Sequence, residues 1–208
     1  MKRIFDIVSS ILTLLLLWPF MLMISIAIAT ESKGGIIYRQ LRVGRYDCDF
    51  VLFKFRTMFV NSDKEELLTV GNRDARITRT GYYLRKYKLD ELPQLFNIIR
   101  GDMSVVGPRP EVRKYVSLYS DEEKGVLVIR PGLTDYASLA YINENEILAA
   151  AADPEQAYIQ KVMPEKLRLN LQYIKNQSFM EDMKLIFKTL GSIIKFLHYR
   201  CKTNMYPL

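Results

Sequence analysis

The first thirty residues contain one long uncharged, apolar segment. No charged residue occurs in the 23 positions from Ile7 to Ala29, whereas Lys2 and Arg3 precede this segment. A helix of that length measures roughly 35 Å, which exceeds the roughly 30 Å thickness of the hydrocarbon core of a bilayer. The pattern therefore predicts a helix that enters a membrane.

Three interpretations of this helix compete: a cleaved signal peptide, a spanning helix, and a re-entrant helix that bends and leaves on the side where it entered. The apolar stretch is longer than the usual signal-peptide core of about 7–15 residues. Pro19 removes one backbone hydrogen bond near the middle, so we expect a bend there, although a spanning helix can also contain a proline. Lys2 and Arg3 lie before the run, and Lys33 and Arg39 follow it. Because positive residues mark the cytoplasmic side, basic flanks at both ends favour the re-entrant path.

Beyond residue 30 the chain forms one polar unit without an obvious linker or internal repeat. Two segments rich in aliphatic and aromatic residues, 36–41 and 50–55, are separated by a Gly-containing turn and predict a strand pair. Helical spacing and capping residues predict helices at 61–69, 80–87, 91–100, 111–124, 143–152, 154–174 and 179–199. The predicted fold is helix-rich α+β with a small β element, divided into a membrane anchor at 1–30 and one domain at 31–208.

The final predicted helix is amphipathic. Its apolar residues share one face, and they are Met183, Ile186, Phe187, Leu190, Ile194 and Leu197, whereas Lys184, Lys188, Lys195 and Arg200 are basic. Such a helix either covers the core of a domain or lies on an anionic membrane surface. The N-terminal membrane segment adds weight to the interfacial interpretation.

Composition narrows the possible chemistry. The chain has 208 residues with one His and two Cys, and 49% of its residues are hydrophobic. This composition is that of a folded protein rather than a disordered one. Two cysteines do not form a disulfide scaffold, and a single His excludes a His-rich metal site and disfavours a Ser-His-Asp or Cys-His catalytic unit. Nucleophilic or acid–base chemistry therefore falls to carboxylates, Lys, Tyr or a bound metal.

Positive charge is concentrated just before residue 90. The formal net charge is +7, and the 16 positions from Arg73 to Lys88 contain six basic residues against one acidic residue, Asp74. Such a segment is either a solvated basic face or a surface for phosphate-bearing small molecules, lipid head groups or nucleic acid. Nucleic acid is disfavoured because no nucleic-acid-binding motif accompanies the segment and because the chain carries a membrane segment.

Two adjacent carboxylates, Asp90 and Glu91, follow this basic segment. Pro93 is tolerated only in the first helical turn, so a helix should start near residues 89–92 and place both carboxylates at its N-terminus. They either cap the helix, or they form with the free backbone N–H groups a place where phosphate or a metal ion binds. Neighbouring helical residues point about 100° apart, so the two would not share one proton symmetrically. One could be a nucleophile while the other holds a metal or assists.

A second candidate element is Gly107-Pro108-Arg109-Pro110. The two prolines restrict the backbone around Arg109, so its guanidinium loses little entropy on meeting a phosphate. A stiff loop with a surface arginine is the alternative. The segment Arg130-Pro131-Gly132 is a weaker element of the same type.

These motifs together resemble the monotopic phosphoglycosyl transferases, the bacterial sugar transferases that start membrane-linked glycan assembly. The matching segments run in order along nearly the whole chain: Tyr38-Arg39-Gln40, Phe53-Lys54-Phe55-Arg56-Thr57-Met58, Arg76-Ile77-Thr78-Arg79, Leu89-Asp90-Glu91-Leu92-Pro93-Gln94-Leu95, Gly101-Asp102-Met103-Ser104, Val106-Gly107-Pro108-Arg109-Pro110 and Arg130-Pro131-Gly132-Leu133-Thr134. The Asp-Glu-Leu-Pro-Gln and Gly-Pro-Arg-Pro elements in this order are highly specific.

The resemblance implies an activity and a location. The family transfers a sugar 1-phosphate from a UDP-sugar to polyprenyl (undecaprenyl) phosphate, releases UMP, uses Mg²⁺, and has a re-entrant helix broken at a proline. Its catalytic dyad corresponds to Asp90 as nucleophile, which forms a covalent phosphosugar intermediate, and to Glu91 as its partner, with Mg²⁺ shared between them. Arg109 corresponds to a position tied to nucleotide-phosphate binding. The expected location is the bacterial inner membrane, with a catalytic domain at 31–208 on the cytoplasmic face.

Charge and position suggest further phosphate-binding residues, chosen from Lys54, Arg56, Arg79 and Arg85. The sequence departs from the family at Trp18-Pro19, where Ser-Pro is frequent, and after Thr134, where Asp135-Tyr136 replaces a Gly-Trp pair. Two other hypotheses remain at this point. One is a membrane-tethered hydrolase of nucleotide sugars, and the other is a non-enzymatic scaffold that binds anionic lipid.

Overall fold

Helices dominate the fold, and two short strand pairs complete it, which confirms the helix-rich α+β prediction. The computed structural model describes residues 1–60 and 75–203, with side chains except at residue 145 and residues 193–203. The α-helices are α1 Lys2–Glu31, α2 Arg79–Lys86, α3 Gln94–Arg100, α4 Arg113–Val116, α5 Tyr136–Ala140, α6 Glu144–Ala149, α7 Pro154–Ala157, α8 Met163–Lys175 and α9 Phe179–Thr203. The strands are β1 Ile37–Val43, β2 Asp49–Phe55, β3 Ser104–Val106 and β4 Gly132–Thr134.

Strands β1 and β2 form the predicted antiparallel hairpin. Their register pairs Ile37 with Phe55 at the open end and Val43 with Asp49 beside the turn. The turn includes Tyr46, whose φ is 58°, a left-handed conformation that tightens the connection. The hairpin places Lys54 near the open end, where the chain continues toward α2.

Strands β3 and β4 form a short parallel pair that the sequence analysis did not predict. Ser104 lies opposite Gly132, and Val106 lies opposite Thr134. A Cβ atom at Gly132 would lie 2.1 Å from the backbone nitrogen of Gly107, so only glycine permits this approach. The pair joins the segment before Arg109 to the segment before Asp135.

Helix α1 packs on the domain along one of its faces. Its buried residues are Asp6, Ser10, Ile24 and Ile28. Leu14 packs against a core cluster that includes Ile98, and Met21 packs against a second cluster that includes Leu84. This spacing of three and four residues marks a single helical stripe. The opposite face is apolar and exposed, including Leu12, Leu16, Trp18 and Met23.

Both ends of α1 bind the same domain. At the N-terminal end, Arg3 donates to the carbonyl oxygens of Ile98 and Ile99 at 2.7 and 3.0 Å, and Asp6 accepts from the Ser104 hydroxyl at 2.8 Å. At the other end, Glu31 accepts from the backbone nitrogens of Arg79 and Thr80 at 2.6 and 2.8 Å.

By length and composition, α1 is a candidate membrane segment, and it is the one such helix in the part of the chain that the structure describes. Its helical assignment continues through Pro19 without interruption. The re-entrant path predicted from Pro19 therefore stays a prediction.

Most predicted helices are confirmed, with shifted bounds, and one is wrong. The segment 111–124 contains only the single turn of α4, followed by a 3₁₀ segment at Glu123–Val128. The reason is a capping box: Glu123 accepts hydrogen bonds from the backbone nitrogen and hydroxyl of Ser120, both at 2.8 Å, while Glu123 N donates back to that hydroxyl. This Ser-x-x-Glu motif starts a new turn and divides the predicted helix. The predicted helix at 61–69 lies outside the described residues.

Candidate active site

The candidate site lies where four elements meet. Asp90 and Glu91 occupy a 3₁₀ turn, Leu89–Glu91, that directly precedes α3. Lys54 reaches it from β2, and Arg109 from the loop that follows β3. The structure therefore brings together both dyad residues and two of the cations that the sequence predicted for phosphate.

Glu91 is the centre of an ion cluster. Lys54 Nζ lies 3.2 Å from Glu91 Oε1. Arg109 binds the same carboxylate with both terminal nitrogens, one of them 3.3 Å from Glu91 Oε2. The fork of the guanidinium matches the two carboxylate oxygens, which fixes the orientation of both side chains.

The two carboxylates have different electrostatic environments. Burial raises the pKa of Asp90, and the charge of Glu91 adds to that rise, while Lys54, Arg85 and Lys88 oppose it. Burial also raises the pKa of Glu91, but Arg109 and Lys54 outweigh that effect and hold it well below its usual range. Glu91 is thus a fixed anion, whereas Asp90 is a buried carboxylate whose charge is costly. This asymmetry agrees with the expectation that the pair does not share one proton.

The same cluster shifts the pKa values of the two cations, Lys54 and Arg109. Burial lowers the pKa of Lys54, although Glu91 opposes the change. Glu91 raises the pKa of Arg109 further above its already high value. Arg109 therefore carries a permanent charge, and Glu91 favours the charged form of Lys54 against the effect of burial.

Asp135 holds the loop that carries Arg109. Its buried carboxylate accepts a hydrogen bond from the backbone nitrogen of Arg109 at 2.8 Å and also caps the N-terminus of α5. In the sequence, Asp135 stands out only as a departure from the family pattern. Its position before a short helix could have identified the cap, but the contact with Arg109 arises from tertiary structure.

Asn97 is a second residue that sequence reasoning missed. Its side chain is fully buried, accepts from Phe53 N at 3.0 Å and donates to Val51 O at 2.7 Å. These bonds tie α3 to β2 on either side of residue 52. Because Lys54 follows Phe53 and α3 follows the dyad, Asn97 fixes the distance between Lys54 and Glu91.

The other predicted basic residues lie in different places. Arg85 donates to the Thr57 hydroxyl at 2.9 Å and contributes to the electrostatic environment of Asp90. Arg56 is turned to the end of α1, where it donates to the Ser32 carbonyl oxygen at 2.7 Å. Arg79 is exposed at the start of α2. The phosphate-binding roles of Arg56, Arg79 and Arg85 stay predictions, and Arg73 lies outside the described residues.

Arg109 also borders a small cleft of about 20 Å³, which has room for about one water molecule. Besides Arg109, its walls are mainly apolar and include Tyr119, Val126 and Ile129. The guanidinium therefore stands between an ion cluster and a small apolar cleft.

The donor atoms limit what metal the site could hold. Within residues 1–60 and 75–203, no group of three or more His, Cys, Asp or Glu side chains is placed to hold a metal ion. Mg²⁺ commonly takes only one or two carboxylates and completes its shell with phosphate oxygens and water. Two adjacent carboxylates fit that pattern, provided that the ligand brings the phosphate.

A model of the bacterial sugar transferase family matches residues 1–196 of the chain. A UDP-N-acetylgalactosamine-undecaprenyl-phosphate N-acetylgalactosaminephosphotransferase of Aeromonas hydrophila is 35% identical over 93% of the chain and 43% of its own length. A UDP-glucose:undecaprenyl-phosphate glucose-1-phosphate transferase of Klebsiella pneumoniae is 35% identical over 91% of the chain and 39% of its own length. The chain thus spans less than half the length of these two relatives. It covers 84% of the exopolysaccharide production protein ExoY of Sinorhizobium fredii, at 34% identity.

The ion cluster predicts opposite effects for two isosteric changes. Glu91→Gln leaves Lys54 and Arg109 without their anion. We expect a loss of about 1–3 kcal/mol in the free energy of unfolding, less than for a fully buried pair because Arg109 is one-third exposed. The melting temperature should fall by about 2–4 °C for each kcal/mol.

Asp90→Asn is the matched control. Burial raises the pKa of Asp90 in the folded state above the pKa of about 4 that an aspartate has in the unfolded chain. As pH rises above about 4, ionisation of Asp90 therefore lowers the stability of the folded state. Asparagine cannot ionise, so this variant should be at least as stable as the parent at pH 7, and the difference should vanish as pH falls toward 4. Thermal unfolding in detergent at both pH values tests this, and equal destabilisation by the two variants would contradict the assignment.

Proposed function

Because the chain belongs to the bacterial sugar transferase family, we propose that it transfers a sugar 1-phosphate from a UDP-sugar to polyprenyl (undecaprenyl) phosphate and releases UMP. The named activities of the relatives support this donor and acceptor. The observation that carries the proposal is the geometry of the dyad: a buried Asp90 beside a Glu91 that Lys54 and Arg109 hold ionised.

In the proposed reaction, Asp90 is the nucleophile. A carboxylate oxygen of Asp90 attacks the phosphorus that bears the sugar, a new P–O bond forms, and the P–O bond to the leaving UMP breaks. An oxygen of the lipid phosphate then attacks the same phosphorus and displaces Asp90, which gives the polyprenyl diphosphosugar. Aspartyl phosphates have precedent as covalent intermediates.

The surrounding cations fit this chemistry. Burial makes the Asp90 anion unfavourable, so a bond from its carboxylate oxygen to phosphorus would remove a costly buried charge. Lys54 and Arg109 are already oriented by Glu91, so they can stabilise phosphate charge with little reorganisation. Glu91 is thus a positioning residue for two cations as well as the partner of Asp90.

Mg²⁺ fits the proposal as an ion that Asp90 and Glu91 would hold together with a substrate phosphate. When bound, it would supply positive charge to the phosphates, as in other phosphoryl transfers.

We further propose a monotopic location on the cytoplasmic face of the bacterial inner membrane, with α1 re-entrant. The contacts of Arg3 and Glu31 support this, because both ends of α1 bind one domain. A straight helix that crossed the bilayer would have its ends on opposite sides of it. The apolar outer stripe of α1 supplies the surface that would face lipid.

Helix α9 fits an interfacial position in the same arrangement. Phe187 and Leu190 are exposed, and Lys184 and Lys188 lie near them on the helix. Exposed apolar residues flanked by lysines are typical of helices that lie on anionic membranes.

UMP release tests the activity. With Mg²⁺, undecaprenyl phosphate and a panel of UDP-sugars, the purified protein should release UMP with at least one sugar, and Asp90→Asn should lower the rate at least about 10³-fold, as expected for loss of a nucleophile. Turnover without the lipid would favour the hydrolase hypothesis. Absence of UMP above the Asp90→Asn background with every sugar would contradict the transferase, and lipid binding that is unchanged by Asp90→Asn would then favour the scaffold.

Cysteine labelling tests the topology. Single cysteines at positions 2 and 34, in a chain whose Cys48 and Cys201 are replaced by Ser, should react with a membrane-impermeant maleimide only from the cytoplasmic face. A cysteine at exposed position 124 supplies the reference for that face. Labelling of positions 2 and 34 from opposite faces would contradict the re-entrant path.

A further inference from the structure

Helix α2 presents an exposed face that combines aromatic and cationic side chains. Arg79, Tyr82, Tyr83, Lys86 and the C-cap residue Tyr87 follow the i, i+3, i+4, i+7, i+8 spacing of one helical face, on which Lys86 is half-buried and the other four are exposed. Tyr82 and Tyr83 are 38% and 52% exposed and pack edge to face against each other. Buried Gly81 and Leu84 lie on the other side of the helix. We call these five residues the tyrosine face of α2.

The tyrosine face lies beside the end of α1. Leu84 packs on Ile24 and Ile28 of α1, and the carboxylate of Glu31 caps the N-terminus of α2. Helix α2 is therefore fixed at the depth at which α1 ends. If α1 lies in the membrane, that depth is the head-group layer, where tyrosine rings and cationic side chains are enriched.

Exposed apolar residues extend the tyrosine face toward the same end of α1. Phe59 and Val60 are about half exposed, and Val60 lies against Gly34. The strand-like pairing of Met58 with Ile77 places this segment directly before α2. These apolar residues thus lie beside the end of α1 and beside the segment that leads into α2.

The other end of α2 leads to the catalytic turn. The chain reverses at Lys88, whose φ is 58°, and enters the turn that carries Asp90. Arg85 and Lys88 both contribute positive charge at Asp90. Basic residues thus occur along the chain from the start of α2 to Asp90, the proposed nucleophile.

We propose that the tyrosine face of α2 is the entry and binding surface for the lipid phosphate acceptor. The tyrosine rings contact the first isoprene units and the interface, and Lys86 and Arg79 bind the phosphate before it moves toward Asp90. The proposal rests on the proposed function. Charge complementarity with a phosphate monoester and continuity with α1 favour this lipid over a soluble ligand, which would not need an aromatic surface at the end of a membrane helix.

The test uses the full chain in phosphatidylcholine nanodiscs. The test variant is Tyr82→Ser/Tyr83→Ser/Lys86→Gln, and Lys86→Gln alone is a milder second variant. The matched control is Tyr46→Ser/Lys124→Gln, which removes an exposed tyrosine and an exposed lysine near the opposite end of the hairpin. The first measurement is the shift in melting temperature caused by undecaprenyl phosphate, with undecaprenol and phosphatidylglycerol as comparison lipids.

The second measurement separates the two half-reactions. UMP released in the absence of lipid acceptor, at most one per protein, reports the donor half, and the dependence of turnover on undecaprenyl phosphate reports the acceptor half. We expect Lys86→Gln to raise the acceptor KM about fivefold and the triple variant to raise it further, while the donor half stays within about twofold of the parent. The melting shift caused by undecaprenyl phosphate should shrink in the same order, and the control should match the parent in both measurements.

Two results would overturn the proposal. One is an unchanged acceptor KM and melting shift in the triple variant. The other is an equal loss of response to phosphatidylglycerol and undecaprenyl phosphate, which would make the face a general anchor. The two proposals fail separately: absence of UMP from the parent rejects the transferase, whereas the melting shift still decides whether the tyrosine face binds a lipid phosphate.

Discussion

The ion cluster around Glu91 is the constraint on which the site depends. Glu91 holds Lys54 and Arg109 from opposite parts of the chain, and each cation would otherwise be a largely buried charge without a partner. Burial raises the pKa of the neighbouring Asp90, and the negative charge of Glu91 adds to that rise. One carboxylate therefore organises the cations, and the other is left with a costly charge, which bonding to phosphorus would relieve in the proposed reaction.

The rest of the fold keeps this cluster in place. Asn97 ties α3 to the strand of Lys54, and Asp135 holds the backbone at Arg109. The close approach of β4 to β3 at Gly132 sets the path of the loop that carries Arg109. Helix α1 binds the same framework at both ends, so the candidate membrane segment and the ion cluster are parts of one packed unit.

Local patterns predicted the elements that depend on local rules. The apolar run predicted α1, and the segments rich in aliphatic and aromatic residues predicted the β1–β2 hairpin. The charge and proline pattern singled out Asp90, Glu91 and Arg109. Contacts between residues distant in the chain could not be predicted. The three-residue strands β3 and β4 are too short to show a hydrophobic period. The residues near Asp135 and Asn97 do not indicate which distant groups these side chains bind. The phosphate-binding role that the charge of Arg56 suggested stays a prediction, and the sequence did not indicate that its donors bind carbonyl oxygens at the end of α1.

The most direct test of the central claim is to locate the covalent bond. The protein is incubated with the UDP-sugar that supports UMP release, without lipid acceptor, and its intact mass and peptides are measured. A mass gain of one phosphosugar on Asp90, absent in Asp90→Asn and discharged by added undecaprenyl phosphate, is the predicted result. An adduct on Glu91, or full turnover by Asp90→Asn, would contradict the assignment of Asp90 as the nucleophile.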